Sequence, residues 1–381
     1  MAKNGTNTLT GLIPILYEAL QVVSRELVGF IPATSRNMTK EGAALNQSIR
    51  VPITPPSENQ DITPGKPPEN GGEEFDYVDM MITKNRIARP IVWNGDEEIS
   101  VGGQLSQLLI NQYTQAMRSL VNEVERDVCA EGVLGALEAG NVYGSAGLTP
   151  FASGLDDLAA IKKVQDDLGT PLGDRHLLIN TATGMALRKL TQLTNVNQAG
   201  ENDMLRRGVL NDLMGYMLRE SGGFMPSDPG TATGFTLSAN AAAGATAIAV
   251  GALTGTILRG AVIVLGGKYY TVAADALVTA TTLQLSHPLP EALPSGTDGT
   301  IMSSYMPNVA FSRDFIYLAT RAPAMPRQGD EARDVTTITD PVSGLSFQVA
   351  LYGVYRQVRG EIGLAWGVKA INKRHGVLLL G

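Results

Sequence analysis

The sequence has a single cysteine, Cys129, in 381 residues. That excludes an intramolecular disulfide and any cysteine-based metal cluster, and it suits folding in a reducing cytoplasm. Histidine is almost as scarce. His176, His287 and His375 lie far apart, and none sits in a metal-binding helix motif or beside a nucleophile elbow. Aromatics make up only 6% of the chain, against forty-two glycines, so cores of small aliphatics with many turns are expected. No apolar run approaches the roughly 18 residues that span a bilayer. The segment Met1–Asn7 has no apolar signal core, and no membrane partner is expected. A formal net charge of −7 shows no basic excess and argues against a dedicated nucleic-acid binder.

Motifs that carry chemistry are missing too. Val264-Leu265-Gly266-Gly267-Lys268-Tyr269 pairs glycines with a lysine, but lacks the first glycine and the final Ser/Thr of a phosphate loop. It reads as a hairpin turn. Asp174-Arg175-His176 reads as a charged turn before a strand. The neighbouring carboxylates Glu97-Glu98, Asp156-Asp157 and Asp166-Asp167 cannot face one another on a helix, and are expected at solvated helix ends. Cys129 falls on an apolar helix face as a small buried hydrophobe. Lys373-Arg374-His375 is too short to imply DNA binding. No catalytic, cofactor-binding or metal-ligating residue is nominated, and no enzyme is expected.

What is there is an ordered succession of elements. Leu12, Leu16, Ala19, Leu20, Val23 and Leu27 recur at helical spacing, with Thr10 as N-cap and Pro14 in the first turn, predicting a helix over 12–28 stopped by Phe30-Ile31-Pro32. Ile49, Val51 and Ile53, then Val78, Met80 and Ile82, alternate as two strands around a tract dense in proline and glycine. This predicts a long β-hairpin with a proline-rich tip, steadier on another subunit than alone. Leu105, Leu109, Tyr113, Met117, Leu120, Val124 and Val128 predict a helix running on to Leu137, a beam roughly 50 Å long. A second helix is expected near Leu155–Leu168. From Arg175 the pattern is α/β: strand His176–Asn180, helix Ala182–Leu193, strand Tyr216–Arg219. Charges nearly vanish between about 224 and 303, where short Ala/Val/Thr/Ile strands separated by glycine predict a small inserted antiparallel barrel or sandwich. Asn308–Thr320 is expected as one strand. A long final strand puts Val358, Ile362, Leu364, Trp366 and Val368 on one face, and Trp366 is expected in the core.

Several stretches sharpen this. Leu9–Pro14 with Ser24–Pro32 resembles the N-terminal arm of podovirus-type phage coat proteins. Gln115–Glu123, Asp174–Leu177, Asn308–Asp314 with Leu318–Arg321, and Glu361–Lys369 follow in the same order. Over nearly its whole length the chain is similar to the tailed-bacteriophage major capsid (coat) proteins. The resemblance implies an α+β capsid fold with an N-terminal arm at 1–47, an extended loop at 48–92 and a peripheral domain with a spine helix at 93–170. An axial domain would open at 171–223, an inserted all-β domain would cover 224–303, and residues 304–381 would complete the axial and peripheral domains. It further implies pentamers and hexamers closing an icosahedral shell around DNA, with arms and extended loops crossing to neighbours. The implied partners are the chain itself, a separate scaffolding protein, a portal protein and packaged double-stranded DNA in weak non-specific contact with the inner face. The implied location is the virion, assembled in the bacterial host cytoplasm. Because the arm helix lies so near the first residue, a cleavable N-terminal scaffold domain is not expected. The competing reading is a surface or carbohydrate-binding protein, suggested by the glycine-rich β insert. A binding module would stay monomeric, whereas a coat protein would form rings or shells.

Overall fold

The computed structural model describes residues 26–54, 61–62, 64–65, 76–101, 105–194, 212–326, 332–341 and 343–381. The first part contains α1 (Phe30–Ala33), β1 (Ser35–Ala43), β2 (Ser48–Ile53), β3 (Asp76–Met81), β4 (Lys84–Ile87), β5 (Ile91–Asn94), α2 (Gly95–Val101) and α3 (Leu105–Ala139). Then come β6 (Val142–Gly144), α4 (Asp156–Asp167), β7 (Arg175–Ile179), α5 (Thr181–Lys189), α6 (Thr191–Thr194) and β8 (Met217–Glu220). Six short strands follow: β9 (Gly234–Thr236), β10 (Ala247–Ala249), β11 (Val262–Leu265), β12 (Lys268–Thr271), β13 (Thr282–Gln284) and β14 (Asp298–Ile301). The last are β15 (Asn308–Ser312), β16 (Ile316–Pro323), β17 (Ala332–Thr339), β18 (Ser346–Val354), β19 (Gln357–Ala370) and β20 (Gly376–Leu380). The fold class is mixed α+β, as the sequence implies.

The beam helix α3 has 35 residues. Its predicted stripe is buried from Leu109 through Tyr113, Met117, Leu120, Val124 and Val128 to Leu137. It packs on both large sheets. One has seven strands, β1-β16-β19-β18-β17 with β4 and β5 also on β19. Its centre is the fourteen-residue β19, longer than most strands. That length is sustained because each residue has a strand partner: Gln357–Gly363 on β18, Leu364 on β4, and Ala365–Ala370 on β16. Trp366 is fully buried there.

The other large sheet, β6-β20-β15-β7-β8, is covered on both faces. Leu178, Val309, Phe311 and Leu378 point into the core under α3. Their neighbours Leu177, Ile179, Ala310 and Leu379 point into a second core with Leu158, Ile161 and Leu187 of α4 and α5. This period-two exchange between two apolar faces explains the continuous apolar runs of β7, β15 and β20.

Six short strands lie between β8 and β15. β12-β11-β14-β9 and β10-β13 are antiparallel sheets around their own core, which includes Leu237, Ile248, Val250, Ile263, Leu265 and Leu283. The expected hairpin turn joins β11 to β12. Gly266 and Gly267 have φ of 59° and 77°, the left-handed pair such a two-residue turn needs. The insert meets the rest through Tyr269 Oη donating to the Gly144 carbonyl at 3.1 Å and Arg259 pairing with Glu138 at 3.3 Å.

Several expectations are corrected. Of the helix over 12–28, residues 12–25 lie outside the described residues, and Glu26–Gly29 is not helical. Phe30-Ile31-Pro32 does not stop a helix but begins the short helix α1, where proline in a first turn costs little. Of the extended loop at 48–92, β2 and β3 form the hairpin, while β4 and β5 pair with β19. The hairpin's proline-rich tip lies largely outside the described residues. Its root rests on its own chain, since Val51 and Met80 pack with Ala319, and Ile82 with Ala365. The strand expected over Asn308–Thr320 divides at Arg313-Asp314 into β15 and β16, which belong to different sheets. The helix over Ala182–Leu193 breaks at Leu190, whose backbone is extended.

A private core predicts autonomy. Residues 224–303 expressed alone should give dispersed amide NMR signals and a cooperative melt. A random-coil spectrum would show that the insert needs its host.

Candidate assembly surfaces

The most constrained polar group is Glu125, 2% exposed on the buried face of α3. Its Oε1 accepts from the backbone N–H of Gly29 at 2.7 Å and Phe30 at 2.8 Å, and from Ser221 Oγ at 2.6 Å. Its Oε2 accepts from the Ile31 N–H at 3.0 Å. The carboxylate thus satisfies the first N–H groups of α1, which no intrahelical carbonyl can reach, and holds the arm to the segment after β8. Burial pushes the Glu125 carboxyl up, and the four donors oppose that push.

On another side of α3, carboxylates at helical spacing hold the main sheet. Lys84 Nζ lies 3.0 Å from Glu123 Oε1 and 2.9 Å from Asp127 Oδ1. Trp366 Nε1 donates to Asp127 Oδ2 at 2.8 Å, so the buried indole of β19 is satisfied. Glu131 accepts from the Ala370 N–H at 3.0 Å, and Glu138 pairs with Lys373 at 2.6 Å. Between these contacts β19 carries Gly367 against the hairpin. A Cβ on Gly367 would collide with the Met81 carbonyl.

The residues singled out in the sequence are dispersed. Glu97 closes a capping box with Asn94, each backbone N–H donating to the other's side chain at 2.8 and 3.0 Å. Asp157 accepts from the Phe151 N–H at 2.8 Å, while Asp166 pairs with Arg175 at 2.7 Å and Asp167 with Lys163 at 2.6 Å. Cys129 is buried, and burial pushes its thiol up. His287 stacks on Tyr270 with ring centroids 5.3 Å apart. Lys373-Arg374-His375 forms a 3-10 turn. His375 Nδ1 lies 2.8 Å from Asp314 Oδ2, and Ser312 Oγ donates to the other oxygen of the same carboxylate. A hydrolase triad needs the imidazole between the hydroxyl and the acid; here the acid stands between. Among the described residues no group of three or more side chains is placed to hold a metal ion. No helix among them is long and apolar enough to cross a membrane.

What the surface does offer is contact. The hairpin buries Met80 and Val51 inward but exposes Tyr77 at 49% and Met81 at 53%, and Ile62 beyond it is 97% exposed. Strand β17 is the last strand of the seven-stranded sheet, beside β18. The tight β18–β19 turn presents Tyr355 at 88% exposure. These features were missed in the sequence because they depend on which strand ends at a sheet edge.

No protein-family model matches the sequence, and no curated protein is similar to it. The chain is similar, over most of its length, to solved bacteriophage capsid structures. The mature capsid of bacteriophage PhiM1 is 11% identical over 94% of this chain and 88% of its own, with a TM-score of 0.49. The capsid of cyanophage P-SCSP1u is 13% identical over 94% and 89%, with a TM-score of 0.46. A solved structure from Mycobacterium phage Che8 is 12% identical over 88% of this chain and 85% of its own, with a TM-score of 0.44.

Two predictions follow from the polar groups. Glu125→Ala strands three backbone N–H groups and the Ser221 hydroxyl in the core, and should cost about 3–5 kcal/mol in chemical denaturation. Buried His176 in β7 has no hydrogen-bond partner on either ring nitrogen among the described residues. Burial first, then Arg219 and Arg313, pull its pKa down from 6.5 to about 4. The unfolded chain therefore binds a proton that the native chain refuses. Stability should be full above pH 6.5 and fall as the pH drops toward 4. His176→Leu should flatten that part of the stability–pH curve; an unchanged curve would place its origin elsewhere.

Proposed function

We propose that the chain is the major capsid protein of a tailed bacteriophage, a subunit that self-assembles as pentamers and hexamers into an icosahedral shell enclosing DNA. The observation that carries this is the hairpin β2–β3. Its root is fixed to its own sheet, yet Met81 at that root and Tyr77 and Ile62 further out are exposed, large apolar side chains a monomer would cover. Many such contacts, each weak, close a shell by multivalency.

On this reading the arm is 1–47, the extended loop 48–92, the peripheral domain 93–170, the axial domain 171–223, the insert 224–303, and 304–381 completes both larger domains. The assignment of 84–92 to the loop is modified, since β4 and β5 belong to the main sheet. Further partners are a separate scaffolding protein, a portal protein and double-stranded DNA held weakly at the inner face. The work of the protein is geometric and not enzymatic, and its place is the virion, after assembly in the host cytoplasm.

Negative-stain images of the expressed chain with its scaffolding protein should show closed shells. Deleting Pro55–Gly72 should leave a folded subunit, with an unchanged melt, that no longer closes them. Normal shells from the deletion would remove the hairpin from the assembly mechanism, and a full-length chain that stays monomeric would overturn the reading itself.

A further inference from the structure

Strand β5 runs antiparallel to β19, with Ile91 opposite Gly360 and Asn94 opposite Gln357. It therefore leaves the main sheet at the end where β18 turns into β19, and α2 begins there. The first residues of β17 reach the same end, since Ala332 lies opposite Tyr352. A bulge between Ala332 and Asp334 takes Arg333 out of the ladder. Its guanidinium lies against Gly353, where a Cβ would collide with it.

Across this end the order β17, β18, β19, β5 sorts the charges. Arg333 on β17 and Arg356 on the turn are exposed and make one side basic. Asp96 and Glu98 on α2, beyond β5, are exposed and make the other side acidic. Glu97 between them is occupied in its capping box with Asn94. Three strand spacings put β17 and β5 about 14 Å apart. Among the described residues no ion pair joins the two sides.

The apolar side chains between them are uncovered as well. Tyr355 is 88% exposed, Ile99 83% and Val354 48%. One such residue on a surface needs no explanation, but three at one end of a sheet, rimmed by charge, have the layout of an interface. A second copy of the same end supplies what this one lacks. Set so that acid meets base, it covers the apolar middle; set like on like, both charged sides repel.

We propose that this end of the sheet docks on the same end of a second copy of the chain, the acidic α2 of one copy against the basic β18–β19 turn of the other, with Ile99 and Tyr355 covered between them. The contact rests on the shell reading in taking its partner to be another copy of the chain, and deepens it by naming two surfaces that meet.

The test mixes variants of the full-length chain that each carry one introduced cysteine beside the buried Cys129. Under mild oxidation, Ile99→Cys mixed with Tyr355→Cys should give about tenfold more disulfide-linked dimer than either variant alone at the same total concentration, because docking raises the effective concentration of the unlike pair only. Glu98→Cys with Arg356→Cys is a second pair, and an unchanged melt of the reduced variants checks that each is folded. Charge is read separately. Asp96→Lys with Glu98→Lys in one chain, and Arg333→Glu with Arg356→Glu in another, should each stay monomeric in sedimentation, while their equimolar mixture associates. Equal yields from mixed and unmixed cysteine variants, no dimer above background, or a charge-reversed mixture that stays monomeric would overturn the proposal. Shells closed by a chain that fails these tests would leave the shell reading intact. A chain that passes them but never closes shells would overturn that reading and leave this contact standing.

Discussion

A carboxylate shut away from water has to be met by donors, and Glu125 is met by four. That requirement fixes more of this molecule than any apolar contact does. Apolar packing is tolerant of small shifts, whereas the three N–H groups of Gly29, Phe30 and Ile31 and the Ser221 hydroxyl reach one carboxylate only if the arm, α3 and the segment after β8 are all in place. Phe30 is thereby held against Phe224 and Phe311, at ring separations of 5.2 and 5.8 Å. The arm, the five-stranded sheet and the approach to the insert share that one node.

The second set of acids on α3 works differently. Glu123, Asp127, Glu131 and Glu138 are only partly buried, and each meets a group from the main sheet or the turn that follows it. Exposed pairs of this kind contribute little stability singly. Their effect is positional: they hold β19 in one alignment along the helix, which apolar contacts alone would leave free to slide.

Much of this was legible in the residues. The period of Leu109 through Leu137 is unambiguous over about eight turns, the glycine pair at 266–267 marks a hairpin, and Trp366 announces a core position by sitting among Ile362, Leu364 and Val368. What was not legible depended on long-range partners. Ser35–Ala43 is polar and carries Arg36 and Lys40, yet it forms a strand because β16 supplies a parallel partner. The resemblance places 84–92 in the extended loop, whereas β4 and β5, on either side of Pro90, each find β19. Glu125 did leave a signal. It lies four residues from Val121 and three from Val128, on the apolar face of the helix, where a carboxylate demands a partner. The contact surfaces left weaker traces, because exposure of Tyr77 or Tyr355 is a property of the assembled sheet and not of the local pattern.

The hairpin is joined to the body by two legs, and both end in the same sheet. One leads from β2 back into β1, which is paired with β16; the other leads from β3 into β4, which is paired with β19. A pull on the hairpin is thus shared between two strands whose partners, β16 and β19, are paired with each other, and neither can yield without stripping a ladder of hydrogen bonds along its length. The tether behaves as a strap riveted at both ends to one plate. Tension taken up at its tip is spread into the stiffest part of the molecule, while the insert, hung on Tyr269 and Arg259 at the far end of α3, is left out of that load path.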